Sequence, residues 1–274
     1  MDLSKLVVAV DDSAAGRSAA RFAAYLAGFL GGELTVLSVC PNGTAHQRGG
    51  ECAEAVHQMM EQVFVAHPAL AIDVAAVHGI PQVEIPRFAE GKKAGLIILG
   101  RKPRSRTTRL ILGDTTDAVV RRSRIPCLMV PAGLTSMRRV LVALDGTDRG
   151  LTALWAGAEL AARAHLDFSV VTVDPARPGE AAVVSARSER LASKVDEYLR
   201  NGGGAGVRGA TATSAVHIRQ GDVVQEVMAE VEEVGADILI TGFHPGGPLL
   251  VVEEGSVSRS LVHNVTCAVL TVPV

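Results

Sequence analysis

Aromatic residues are scarce in this chain: one Trp, two Tyr and six Phe among 274 residues. Single-stranded nucleic acid is held by stacking on aromatic faces, so the scarcity argues against that class of partner. It also means that the core is aliphatic, built from Val, Leu, Ile and Ala, which suits buried parallel strands covered by alanine-rich helices. Neither sign of charge dominates. With 27 Lys and Arg against 29 Asp and Glu the formal net charge is -2, and no nucleic acid or acidic membrane surface is expected as a partner. No apolar run approaches the roughly 20 residues of a membrane-spanning helix. The opening Met1-Asp2-Leu3-Ser4-Lys5 lacks the pattern of a signal peptide, so a cytoplasmic location is expected. The four cysteines, Cys40, Cys52, Cys127 and Cys267, form no C-x-x-C pair and are expected to be reduced and mostly buried. His46, Cys52 and His57 match no zinc spacing, and no metal site is expected. The phosphate-binding pattern G-x-x-x-x-G-K-[ST], the nucleophile elbow G-x-S-x-G and the zinc-protease pattern H-E-x-x-H do not occur.

What is present is a repeat. Leu6-Val7-Val8-Ala9-Val10-Asp11-Asp12-Ser13 returns as Val140-Leu141-Val142-Ala143-Leu144-Asp145-Gly146-Thr147. Each is a short apolar run ending in an acidic residue and a turn, the pattern of a strand buried on both faces. Gly95–Gly100 returns as Asp237–Gly242, and Cys127–Pro131 as Val269–Pro273, in the same order. Duplicated domains are expected, over residues 1–132 and 138–274, joined by a linker at about Ala132–Arg138. Between the strands lie helical patterns at Ala14–Leu30, about Glu51–Ala66 and Pro81–Glu90. In the second half these fall at Leu151–Ala164, Ala186–Arg200 and Asp222–Val234. Further strands are expected at Leu34–Val39, Ile72–Val77, Phe168–Val173 and Thr211–Ile218. Each half thus alternates strand and helix around five strands, which implies a parallel, doubly wound sheet with right-handed crossovers.

In such sheets ligands bind beyond the carboxyl ends of the strands, where the strand order reverses. Asp11 and Asp145 follow the first strands. After the fourth strands come loops bracketed by Gly100 and Gly113 and by Gly242 and Gly255, each pair thirteen positions apart. The second glycine opens a helix, whose free backbone N–H groups make an anion site. The first loop carries Arg101, Lys102, Arg104, Arg106 and Arg109, either a phosphate or acidic-partner clamp or a solvated loop. The second carries His244, a ligand contact or a bystander, and Glu253 and Glu254. Gly204-Ala205-Gly206-Val207-Arg208-Gly209 spells G-x-G-x-x-G but stands between a helix and a strand, the reverse of the dinucleotide-binding context, and reads as a flexible connector.

These residues resemble the universal stress protein family that binds ATP. That family carries an Asp after the first strand, and Gly-x-x-Gly, nine residues, then Gly-Ser/Thr after the fourth. The second half is similar at Asp145, Gly242, Gly255 and Ser256, the first at Asp11, Gly100 and Gly113. The resemblance implies the adenine-nucleotide α-hydrolase-like fold, two such domains packed as a pseudo-dimer through their fifth strands, and an adenine nucleotide such as ATP as ligand. It places the base beside Val173 or Val39, the ribose or a metal near the Asp, and the phosphates on the glycine loop, with Gly246 and Val257 completing the second site. Both halves depart from the pattern. Pro103 and Pro245 stand where the family has its second glycine, and each removes an N–H donor. Asp114 stands where the family has Ser or Thr and puts a carboxylate, or a helix cap, at the phosphate position. The second half is therefore expected to bind nucleotide, with Mg2+ offsetting Glu253 and Glu254, and the first to be degenerate. The implied role is stress-response regulation through protein partners not named by the sequence, without catalytic residues. A scaffold with vestigial sites and a slow nucleotide hydrolase remain the alternatives, and homodimerisation is left open.

Overall fold

The computed structural model describes residues 3–40, 54, 56–58, 60–61, 63, 65–101, 114–145, 147, 150–174, 193, 195, 197, 215–244 and 257–274. The chain divides into two compact units, the first comprising essentially residues up to Ser136 and the second those from Met137.

The first unit runs β1 (Lys5–Val10), α1 (Ala14–Leu30), β2 (Glu33–Cys40), β3 (Ile72–His78), α2 (Pro81–Gly91), β4 (Leu96–Arg101), α3 (Asp114–Arg122) and β5 (Cys127–Pro131). Its strands lie in the order β3-β2-β1-β4-β5. The pairs β1–β2, β1–β4, β2–β3 and β4–β5 are all parallel. Helical residues also occur between Glu54 and Ala66. The second unit repeats the plan: β6 (Arg139–Leu144), α4 (Gly150–Ala164), β7 (Asp167–Asp174), β8 (Ala215–Gln220), α5 (Val223–Val234), β9 (Ile238–Phe243), α6 (Val257–Asn264) and β10 (Ala268–Pro273). Its order, β8-β7-β6-β9-β10, is the same.

The central strands are continuous apolar runs because both of their faces are covered. Leu6, Val7 and Val8 in β1 and Val140, Leu141 and Val142 in β6 are all at most 1% exposed. Each buried aliphatic side chain of this kind contributes about 1.5–3 kcal/mol relative to exposure. Helix α1 buries an alanine face, with Ala19, Ala20, Ala23, Ala24 and Ala27 inaccessible. It starts at Ser13, whose Oγ accepts from the Gly16 N–H at 3.0 Å, and ends at Gly31 in the left-handed conformation (φ 62°). Small residues let the helices approach the sheet closely. A Cβ on Gly157 of α4 would lie 2.4 Å from Val142 Cγ2.

Where the described residues cover them, the element boundaries follow the sequence expectations within one or two residues, with two differences of kind; the bounds of the helices expected at about Glu51–Ala66 and Ala186–Arg200 lie outside the described residues. Asp222 is not the first residue of a helix but its cap, its Oδ1 accepting from the Gln225 N–H at 2.9 Å. The strand expected at Thr211–Ile218 is Ala215–Gln220, residues 211–214 lying outside the described residues. The expectation of wholly reduced cysteines is overturned. Cys127 and Cys267 are buried thiols outside any disulfide, but Cys40, at the buried end of β2, is disulfide-bonded. Disulfide formation requires two Cα atoms within about 4.4–6.8 Å, a condition that spacing along the chain does not reveal. Burial pushes the Cys127 thiol up to about 12, so it stays protonated and unreactive at neutral pH. No helix among the described residues is long and apolar enough to cross a membrane.

Candidate functional site

The strand order reverses between β1 and β4 in the first unit and between β6 and β9 in the second. From β1 and β6 the chain proceeds to one side of the sheet, and from β4 and β9 to the other. The register sets Ala9 beside Leu99 and Ala143 beside Thr241. Asp11 and Gly100, and likewise Asp145 and Gly242, therefore project from the carboxyl ends of neighbouring strands at the place where a cleft opens in sheets of this topology.

The two Asp residues build the same turn. In the second unit Asp145 Oδ1 accepts from the Thr147 N–H at 2.9 Å and from Thr147 Oγ1 at 2.7 Å. Thr147 Oγ1 in turn accepts from the Gly150 N–H at 3.2 Å, capping α4. In the first unit Asp11 Oδ1 accepts from the Ser13 N–H at 3.3 Å and from Ser13 Oγ, and Ser13 caps α1. The pattern is Asp, any residue, Ser or Thr, then Gly three residues on. The sequence reading picked out the Asp but not its partners Ser13, Gly16, Thr147 and Gly150. The glycines are required sterically: a Cβ on Gly16 would lie 2.7 Å from Asp11 Oδ1, and one on Gly150 2.9 Å from Asp145 Oδ1. Oδ1 of each carboxylate is thus spent on local structure, while Oδ2 takes no part in the turn.

Gly100 and Gly242 differ in what they face. A Cβ on Gly100 would lie 2.5 Å from the Ala15 carbonyl oxygen, so β4 ends against the first turn of α1. Among the described residues, a Cβ on Gly242 would meet only Val274 side-chain atoms, at 3.3 Å and beyond. Both carbonyls are held by a hydroxyl from the following helix. Ser258 Oγ donates to the Gly242 carbonyl at 2.7 Å, and Thr116 Oγ1 to the Gly100 carbonyl at 3.4 Å. Val39 and Val173, expected near a base, are half-buried next to last in β2 and β7, paired with Val77 and Arg219 respectively. Val257 is exposed at the start of α6. Gly113, Gly246, Gly255 and Ser256 lie outside the described residues, as do Lys102, Pro103, Arg104, Arg106, Arg109, Pro245, Glu253 and Glu254. Among the described residues no three His, Cys, Asp or Glu side chains are grouped as a metal site.

The sequence reading passed over one charged cluster. Glu226, Glu230 and Glu233 on α5 face Arg219 on β8. Arg219 Nε donates to Glu230 Oε2 at 2.5 Å, Nη1 to Glu226 at 3.3 Å, and Nη2 to Glu233. These bonds, that to Glu230 foremost, hold the guanidinium above its already high ordinary pKa. The signal was available: glutamates at i, i+4 and i+7 share one helix face.

This architecture defines a class: two α/β domains of five parallel strands each, with the strand order reversing between the first and fourth strands, the adenine-nucleotide α-hydrolase-like fold. The chain belongs to the universal stress protein family, whose sequence profile matches residues 3–131 and again 137–273. A universal stress protein of Methanocaldococcus jannaschii is 32% identical over 84 residues, 31% of this chain and 46% of that protein. The match thus spans less than half the length of that relative. Among solved structures, a universal stress protein from Archaeoglobus fulgidus superposes with a TM-score of 0.77 at 19% identity, covering 100% of this chain and 99% of the other. A putative universal stress protein from Pseudomonas aeruginosa superposes with a TM-score of 0.71 at 15% identity, covering 99% and 94%. At these identities the two structures show the fold.

Proposed function

We propose that this protein is a stress-response regulator that binds an adenine nucleotide of the ATP type in the second domain rather than the first. Its outputs would pass to protein partners in the cytoplasm, a setting in which a disulfide at Cys40 is the kind that forms in response to redox conditions. The observation that carries the reading is the switch point between β6 and β9. There Asp145 follows β6, and the opening turn of α6 is tied through Ser258 to Gly242 at the end of the neighbouring β9. The first N–H groups of such a helix have no intrahelical acceptor and favour an anion. Asp145 Oδ2 is the group to meet a ribose hydroxyl or a magnesium ion, and Val173 the residue to line the base. Gly242, Gly246, Gly255, Ser256 and Val257 would approach the phosphates. In the first domain Asp11, Val39, Gly100 and Gly113 form the degenerate counterpart, because Asp114 sets a negative charge where Ser256 offers a hydroxyl. At a few ångströms from a phosphate that charge costs on the order of 1–4 kcal/mol.

Calorimetric titration with ATP, with and without magnesium, tests the reading. The wild-type chain is expected to bind one equivalent, more tightly with magnesium present. Ser256→Asp should remove most of that binding, and Asp114→Ser should create or strengthen a second site. No heat of binding in any of the three proteins would leave a scaffold with vestigial clefts as the function.

A further inference from the structure

We propose that Ser258 is a positioning residue for the second cleft: its hydroxyl ties the first turn of α6 to the end of β9 and so sets where the helix's opening N–H groups stand. The inference rests on the nucleotide reading above. Ser258 Oγ donates to the Gly242 carbonyl at 2.7 Å and lies 3.4 Å from Thr241 Oγ1, which itself is 3.4 Å from the same carbonyl. Thr241 is buried. Two hydroxyls and one carbonyl thus converge at the strand end. A serine hydroxyl has one hydrogen to donate. With that hydrogen on Gly242, Ser258 cannot also donate to a ligand oxygen, so its contribution is geometric.

The chain leaves β9 at Phe243 and enters α6 at Val257. Whatever path it follows between, the Ser258 bond fixes the separation of its two ends. A helix terminus binds an anion well only if its N–H groups are already aimed, since any ordering on binding subtracts from affinity. The first domain supplies an internal comparison. Thr116 makes the equivalent bond to Gly100 at 3.4 Å, and the place of Thr241 is taken by Leu99, which has no hydroxyl. The tie is short and buttressed in the second domain, long and unsupported in the first. That is the same asymmetry that Ser256 and Asp114 imply from the sequence.

Two measurements on the full-length chain separate this inference from the reading beneath it. Hydrogen exchange in the absence of nucleotide reads the tie itself. Ser258→Ala should speed exchange of the amides in the first turns of α6, and Ser258→Thr, which supplies the same hydroxyl as Thr116 does in the first domain, should restore protection. Equal exchange in wild type and Ser258→Ala overturns the tie whatever the nucleotide does. Titration with magnesium–ATP reads its consequence. Ser258→Ala should weaken binding about five- to tenfold, the effect of one hydrogen bond. Ser258→Thr should return to within about twofold to threefold on the same basis. Wild-type affinity in Ser258→Ala overturns the positioning role, as does weakened binding in Ser258→Ala that Ser258→Thr fails to restore. Faster exchange in Ser258→Ala, with no ATP bound by the wild type, overturns the nucleotide reading and the positioning role with it, leaving only a structural clasp. Thermal melting of both variants shows that each is folded.

Discussion

Arg219 on β8 and Glu230 on α5 form a hydrogen-bonded ion pair, Nε to Oε2 at 2.5 Å, in which the carboxylate is only 1% exposed. The other oxygen of Glu230, Oε1, accepts no hydrogen bond among the described residues, and His217 Nδ1 lies 3.1 Å from it. Replacing Arg219 by Met strands a buried carboxylate and should lower stability by about 3–5 kcal/mol in denaturant unfolding. Adding Glu230→Gln to that variant should recover a large part of the loss. If Arg219→Met unfolds at the wild-type denaturant midpoint, the cluster is surface decoration.

Glycines at corresponding strand ends should tolerate alanine differently. In Gly100→Ala the new methyl meets backbone, 2.5 Å from the Ala15 carbonyl oxygen. Backbone cannot swing aside as a side chain does, so a loss of about 1–3 kcal/mol is expected. In Gly242→Ala the methyl, among the described residues, meets only the Val274 side chain at 3.3 Å, and the loss should be the smaller of the two. The reverse order of melting temperatures would show that the packing of β4 against α1 does not limit the first domain.

Asp145 serves a turn, and a conservative change separates that role from a ligand role. Asp145→Ala removes the acceptor for both the Thr147 N–H and its hydroxyl, and should cost about 1 kcal/mol of stability. Asp145→Asn keeps an acceptor oxygen and should melt near the wild type. If the Asn variant also keeps wild-type magnesium–ATP affinity, the charge of Asp145 has no part in binding. Loss of affinity without loss of stability assigns Oδ2 to the ligand or its ion.

The cysteines should divide into two chemical sets. Alkylation of the denatured, unreduced protein should label Cys127 and Cys267, which among the described residues lie outside any disulfide, and should leave Cys40 unlabelled. After reduction all four should react. In the native state at neutral pH Cys127 should resist alkylation, because burial pushes its thiol up to about 12 and the reactive thiolate is scarce. Four labels without reductant would show that Cys40 is not cross-linked in the purified protein.

Much of the fold was legible because strand and helix signals are local. Runs such as Val140–Leu144 declare a strand buried on both faces, and the alanine spacing of Ala14–Leu30 declares a helix face, without reference to the rest of the chain. The return of these blocks in order also made the duplication plain. The candidate site was legible in part. Asp11, Asp145, Gly100 and Gly242 could be placed at strand ends by counting elements. What holds them there, the hydroxyls of Ser13, Thr147, Thr116 and Ser258, could not. A serine or threonine near a helix start is so common that its partner shows only in three dimensions.

By itself, then, the sequence determined the alternation of elements, the two-fold repeat, the aliphatic core and the chemical difference between Asp114 and Ser256. Each of these depends on residue type and short-range spacing. The tertiary structure alone decided the remaining features. It shows that Cys40 is cross-linked, that Arg219 donates to three glutamates of a neighbouring helix, and that Gly100 is pressed against backbone while Gly242, among the described residues, is not. It also shows that the tie from α6 to β9 is shorter than its counterpart from α3 to β4. All of these are distances between residues remote along the chain. Such distances are set by how helices pack on a twisted sheet, to within tenths of an ångström that no local pattern encodes.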